Sequence, residues 1–219
     1  MHYAVPRLLW ENGLLDVCYT DIYSRKGLLA LSHAGPFQGV RAVRTLSTRH
    51  HPALPASRVV HFPGFGISYV AGRDRCRTLD DRFRHYVWGG RRFNELILKR
   101  LAKRSPTALY TFNSAGLELM QFVRHGNVRH GNRLIHEQTM VPHRIERELL
   151  RQEMDNHPAW VSGEEFGNGS AAYADREEQE LALADVVVCG SGFVRDSLIR
   201  LGLSPESIQI VPYGIDNAE

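Results

Sequence analysis

The chain has 219 residues, 43% of them hydrophobic, a formal net charge of +3 and a mean hydropathy of −0.30, values that suit an ordinary globular core. No apolar run approaches the roughly 20 residues that would cross a bilayer, and the first residues lack the charged and apolar regions of a secretory leader, so a cytoplasmic setting is expected. The cysteines, Cys18, Cys76 and Cys189, are odd in number and widely spaced with no CxxC pair, which argues against a disulfide framework or a zinc site; no metal is expected.

Read in chain order, Pro6 opens a short helical pattern to Glu11, and Tyr3 just before it is a candidate cleft residue together with His2. A strand is expected over residues 17–22, closed by Asp21, and another over 58–62, with a His- and Pro-bearing loop over 47–57 between them. From Arg73 to Arg104 the sequence holds eleven Lys or Arg against four acids. Within it Phe93, Leu96, Ile97 and Leu101 recur at helical spacing over 83–103, which predicts a basic amphipathic helix. Such a helix can lie on an anionic membrane surface, although a solvated surface helix has the same pattern. Without a pattern of interleaved exposed aromatics or a recognised binding motif, the basic count alone is a weak pointer to nucleic acid.

The strand at 108–112 ends in Asn113 and Ser114, which can bind sugar hydroxyls or cap the helix expected over 115–124. The next strand, 133–136, ends in His136 and Glu137. Polar groups at the carboxyl end of a parallel strand sit where ligands bind in α/β sheets, so His136 is the leading catalytic candidate and Glu137 a substrate-binding one. A zinc-protease reading fails because the HExxH pattern needs a second His where Met140 stands. An amphipathic helix follows over 143–154, on which Arg147 or Arg151 can meet an acidic ligand or simply face solvent. Residues 158–170, with several Gly and Ser, read as a loop, and 175–184 as a helix.

The last stretch is the most specific. Asp185 and a β-branched strand at 186–189 lead to Ser191, a good N-cap for a helix over 192–201 whose apolar face is Val194, Leu198, Ile199 and Leu201. Gly202 supplies a stop, Ser204-Pro205 a short turn, and a strand over 208–211 runs into Pro212, Tyr213, Gly214, Ile215 and Asp216. Gly190-Ser191-Gly192 also fits the start of a dinucleotide-binding fingerprint, but Arg195 stands where its third glycine belongs. The alternation of strands and helices predicts an α/β, Rossmann-like, doubly wound parallel sheet covered on both faces.

Residues 184–216 resemble the end of the first domain in glycosyltransferase family 4, retaining sugar transferases of the two-domain GT-B fold. Ala184, Asp185, Ser191, Phe193, Val211, Pro212, Gly214 and Asp216 carry the likeness. It implies an acceptor-side domain, with Ser191, Gly214 and Asp216 at the junction to a nucleotide-sugar domain, and His136 near the transferred sugar. It further implies a nucleotide-sugar donor as substrate with no separate cofactor, a sugar or lipid-linked acceptor, and a donor-domain segment or chain as partner. Family members begin with a strand and a glycine-bearing turn, whereas this sequence opens on the first helix, so the first strand is expected to be missing. The family's E-x7-E glutamates and phosphate clamp fall beyond Asp216. The sequence is therefore expected to be one half of a GT-B fold and inactive by itself; a non-catalytic binding module or a truncated remnant is the alternative.

Overall fold

The computed structural model describes residues 3–24, 49–101, 107–125, 132–159 and 167–214. His2, Lys103, Arg104, residues 160–166, Ile215 and Asp216 lie outside the described residues. The chain divides into two compact units, one of residues 1–70 with 215–219 and one of residues 71–214.

In the first unit, helix α1 (Ala4–Glu11) precedes strand β1 (Cys18–Thr20), which pairs in parallel with β2 (Val59–His61) in the register Cys18 to Val59. Leu15, Tyr23, Leu54 and Val59 form its buried centre, with Leu9, Trp10 and Cys18 packed around them. The Tyr23 hydroxyl donates to the Leu54 carbonyl at 3.1 Å, so the polar end of this core tyrosine is satisfied. Helix α2 (Pro63–Arg73) follows directly on β2. The sequence pattern missed it because Pro63, Gly64 and Gly66 read as breakers; Pro63 is its first residue, where a missing N–H costs nothing.

The second unit opens with α3 (Leu79–Leu101), which starts earlier than hydrophobic spacing predicts because Thr78 and Asp81 form a reciprocal cap. The Thr78 hydroxyl accepts from the Asp81 N–H at 3.0 Å and the Asp81 carboxylate from the Thr78 N–H at 3.1 Å. Those bonds hold the Asp81 carboxyl below its usual range. Val87, Ile97 and Leu101 are buried, and α3 packs on α4 (Leu117–His125) and α6 (Asn168–Leu183). Its apolar stripe is thus consumed in the core. Arg82, Arg84, Arg91, Arg92, Lys99 and Arg100 stay exposed, with Trp88 the large apolar side chain among them.

Four parallel strands form the sheet in the order β3 (Ala108–Phe112), β4 (Arg133–Gln138), β5 (Val186–Cys189) and β6 (Ile208–Ile210). Their connections are α4, then α5 (His143–Asn156) with α6, then α7 (Gly192–Arg200). This is the α/β, Rossmann-like, doubly wound class read from the alternation, but the parallel strands fall into two sheets, of two and four strands. The four strand positions in this unit match the expectation closely. The start of α6 does not: residues 168–170 are its first turn rather than loop. Gly169 stands there because a Cβ would lie 2.6 Å from the Asp80 carbonyl, and the Asp80 carboxylate accepts from the N–H groups of Gly169 and Ser170 at 2.7 and 3.2 Å.

The two faces of the larger sheet are unequal. Leu134, His136, Gln138, Val187, Cys189 and Ile208 are buried, whereas on the alternate positions Tyr110, Ile135, Val186 and Val188 are half-buried and Phe112 is exposed. Val187, Cys189 and Ile208 form one core with Leu181, Val194 and Leu198, whose apolar atoms are withdrawn from water. Leu198 has no exposed surface. Leu198→Ala is expected to lower unfolding stability by about 2–5 kcal/mol, read from urea denaturation midpoints at constant m-value.

Candidate functional site

The carboxyl ends of β3, β4, β5 and β6 carry Asn113 and Ser114, Glu137 to Met140, Gly190 and Ser191, and Tyr213 and Gly214 in turn. After β3 the chain turns at Ser114, which takes the left-handed conformation at φ 58°, an unusual state for a residue with a side chain. Two bonds hold it there. The Ser114 N–H donates to Glu180 at 2.5 Å, and its carbonyl accepts from the Arg176 Nε at 2.9 Å. Beside it the Asn113 carbonyl oxygen accepts from the Thr139 hydroxyl at 2.8 Å, and its amide donates to the Tyr173 hydroxyl at 3.4 Å. The structure therefore brings Asn113 and Ser114 together with Thr139 and Tyr173, two residues that the sequence reading did not select.

His136 and Glu137 are neighbours on β4 and so face opposite sides of the sheet. His136 has no exposed surface; its Nδ1 lies 3.3 Å from the Thr111 hydroxyl, itself 3.5 Å from the Met120 sulfur. Burial drives its pKa down to about 4, with the Gln138 side chain offsetting part of the effect. The expectation that His136 points into the crevice is thus corrected: it is a neutral core imidazole on the covered face. Glu137 takes the other side, 5% exposed. The Tyr110 hydroxyl donates to its Oε2 at 2.6 Å and the Tyr213 hydroxyl to its Oε1 at 3.3 Å. Burial and the carboxylate together hold both phenols up from the usual value. The Tyr213 ring reaches Glu137 across Gly190, where a Cβ would lie 2.6 Å from its Cε2.

Three helix starts near these strand ends are already filled by carboxylates of the chain. Glu180 accepts from the N–H groups of Ser114 and Gly116 ahead of α4, the latter at 2.9 Å. Glu177 accepts from the His143 N–H at 2.6 Å at the start of α5 and from Gln138 at 2.7 Å, while Asp80 serves α6. The buried His143 ring is held between Glu146, at 2.8 Å from Nδ1, and Ser170, at 2.7 Å from Nε2. Arg176, 3% exposed, places two guanidinium nitrogens at 2.6 Å from the two oxygens of Glu118 and its Nε 3.8 Å from Glu180. Burial pulls Glu118 upward, but the bonds from Arg176 and Asn94 outweigh it and hold its carboxyl below the ordinary range. Glu180 is buried more deeply, and burial raises it to about 7 despite its bonds to Gly116 and Ser114 and the Arg176 charge. Burial also raises Glu177.

The start of α7 differs. Ser191 is its N-cap, accepting from the Val194 N–H at 3.3 Å. Around the strand ends stand exposed apolar side chains: Met140, Phe193, Val211 and Tyr213, each 47% exposed or more. Gly214 is exposed with open space around it, and Asp216 lies outside the described residues. Tyr3 belongs to the first unit, where its hydroxyl donates to the Ile22 carbonyl at 3.2 Å and its ring meets Tyr23 edge-on. Asp21 is paired there with Arg49, whose Nη1 lies 2.6 Å from both carboxylate oxygens. Among the described residues no group of three or more His, Cys, Asp or Glu is arranged to hold a metal, and no helix is long and apolar enough to cross a membrane.

The fold defines an α/β protein of Rossmann-like class, with polar side chains and exposed Phe193 and Tyr213 rings around its strand ends. Compared with known proteins, the chain matches no family model and no curated protein.

The raised Glu180 and the depressed His136 act in opposite senses on stability. Glu180 binds its proton more tightly when folded, so its contribution is full below its ordinary 4.5 and fades as pH rises to about 7. His136 resists protonation when folded, so its contribution is full above 6.5 and is lost as pH falls to about 4. In the parent the two largely offset between pH 4.5 and 6.5. Glu180→Gln is expected to lose about 2–3 kcal/mol more than the parent on going from pH 7 to 4.5, measured by urea unfolding at both values; an unchanged difference between the two proteins would sink this assignment.

Proposed function

We propose that the chain is the acceptor-side domain of a retaining glycosyltransferase, one half of a GT-B fold resembling family 4, which positions a glycan or lipid-linked acceptor for sugar transfer from a nucleotide-sugar donor. The observation that carries this reading is the chemistry of the crevice. Its helix starts at α4, α5 and α6 are filled by Glu180, Glu177 and Asp80, which leaves no vacant amide cluster there for a phosphate. What remains are the side chains of Asn113, Thr139 and Ser191 with the exposed aromatic faces of Phe193 and Tyr213, a combination suited to hydroxyls and to the apolar face of a sugar ring. The strand–helix–strand order of β5, α7 and β6 supports the reading, because the likeness implies such a unit before the domain junction.

On this reading Asn113 and Thr139 bind acceptor hydroxyls, and Glu137, held by Tyr110 and Tyr213, is the carboxylate nearest the reacting end. The donor's diphosphate and the oxocarbenium-like transition state would be stabilised by groups of the donor-side domain, so sugar transfer is not expected from this chain alone. A binding module without catalysis is the second reading, favoured by the absence of an exposed general base among the described strand-end residues. A dinucleotide-binding protein fits less well, since Arg195 occupies the third-glycine position.

Saturation-transfer NMR with a set of neutral oligosaccharides tests saccharide recognition. Signal from at least one ligand, weakened about tenfold by Asn113→Ala, is expected; no signal from any saccharide would overturn the reading. Turnover of nucleotide sugars by the isolated chain would contradict the division of labour. The exposed basic face of α3 adds a route to an anionic membrane surface by charge, since its apolar side is committed to the core. Sedimentation with vesicles of anionic lipid should fall steeply between about 50 and 200 mM salt; binding that ignores salt would exclude this mode.

A further inference from the structure

Away from the strand ends, a cavity of about 200 Å³ lies between α5 and α6, lined by Arg144, Arg147, Glu148 and Arg151 from α5 and by Ala171, Ala174 and Asp175 from α6. None of these residues belongs to the crevice described above. The arginines recur at intervals of three and four residues and so share one side of α5, spanning about two turns, or about 10 Å. Opposite them α6 places the methyl groups of Ala171 and Ala174, one turn apart, with Asp175 beside them, and the small alanines leave the space between the helices open.

The walls are held from outside. Arg144 is paired with Glu178 of α6, with its Nε 2.6 Å from Oε1, and Glu148 is engaged by Arg200 of α7. Both pairs thus engage side chains that line the groove, one tying α5 to α6 and the other tying α5 to α7. Arg151 is exposed and makes no ion pair among the described residues. Asp175, also exposed, adds an acceptor on the far wall. Planar guanidinium forks recognise carboxylate or phosphate oxygens in two-point contacts, a flat apolar floor suits the carbon face of a ring, and a carboxylate accepts from hydroxyls.

We propose that the groove between α5 and α6 binds an acidic saccharide, its carboxylate or phosphate on Arg151, its ring over Ala171 and Ala174, and a hydroxyl on Asp175. The site is independent of the crevice and of any transfer reaction. It is tested on the full chain without a nucleotide sugar, by heteronuclear NMR titration with glucuronate, glucose 6-phosphate, glucose and inorganic phosphate. At least one of the two acidic sugars is expected to bind about tenfold more tightly than glucose and than phosphate, and the stronger one identifies the oxyanion. Arg151→Glu should weaken that binding about tenfold or more. Ala171→Leu, which fills the floor and leaves every charge in place, should abolish it while the melting temperature is kept. Equal binding of glucose, inorganic phosphate binding as tightly as both acidic sugars, no binding of either acidic sugar, or binding indifferent to both substitutions would each overturn the proposal.

Discussion

Helix α6 holds the second unit together through charge placed inward. Tyr173, Arg176, Glu177 and Glu180 share one side of it, and that side faces the strand ends and the starts of α4 and α5. Each carboxylate takes up amide groups that would otherwise be buried without partners, which is expensive in a water-poor interior. Arg176 then ties Glu118 of α4 and the Ser114 turn to the same helix. Removing one member of such a set leaves another charge uncompensated, so these residues act as a unit rather than as separate contacts.

The shape of the crevice follows from that set. Ser114 keeps its left-handed turn because Glu180 and Arg176 grip its two peptide groups, and the turn in turn presents Asn113 to Thr139. The N-terminal ends of helices in open α/β sheets commonly serve anions. Here the chain uses its own carboxylates for that purpose at three of them. What the crevice retains is neutral hydrogen-bonding capacity edged by aromatic rings, a chemistry closer to hydroxyls than to phosphates.

Much of this was legible in the sequence and the remainder was hidden for definite reasons. Strands β3 and β5 were read to their ends because β-branched and aromatic residues run between clear turn signals, and Ser191 was read as the cap it is. Alternation along β4 puts His136 and Glu137 on opposite sides of the sheet, but sequence alone does not reveal that both are buried, His136 beside Thr111 and Glu137 beneath Tyr110 and Tyr213. The inward charges of α6 were hidden for a different reason. Positions 173, 176, 177 and 180 follow the i, i+3, i+4, i+7 spacing of a core stripe, yet polar residues in that stripe read as a solvated face. The start of α6 was missed because Gly167 and Gly169 were taken as loop signals, when Gly169 permits the close approach of Asp80.

Burying acids has a further effect on the outside of the molecule. Glu137, Glu177 and Glu180 are withdrawn from the surface, and Arg176 is the one base buried in exchange among the described residues. The exterior is therefore more basic than the formal +3 conveys. That excess is arranged rather than spread: it lies along the exposed side of α3 and along the arginine stripe of α5, which faces Ala171, Ala174, Asp175 and Glu178 of α6. The same helix thus supplies carboxylates to the interior on one side and the small side chains of Ala171 and Ala174 to the α5 arginines on another.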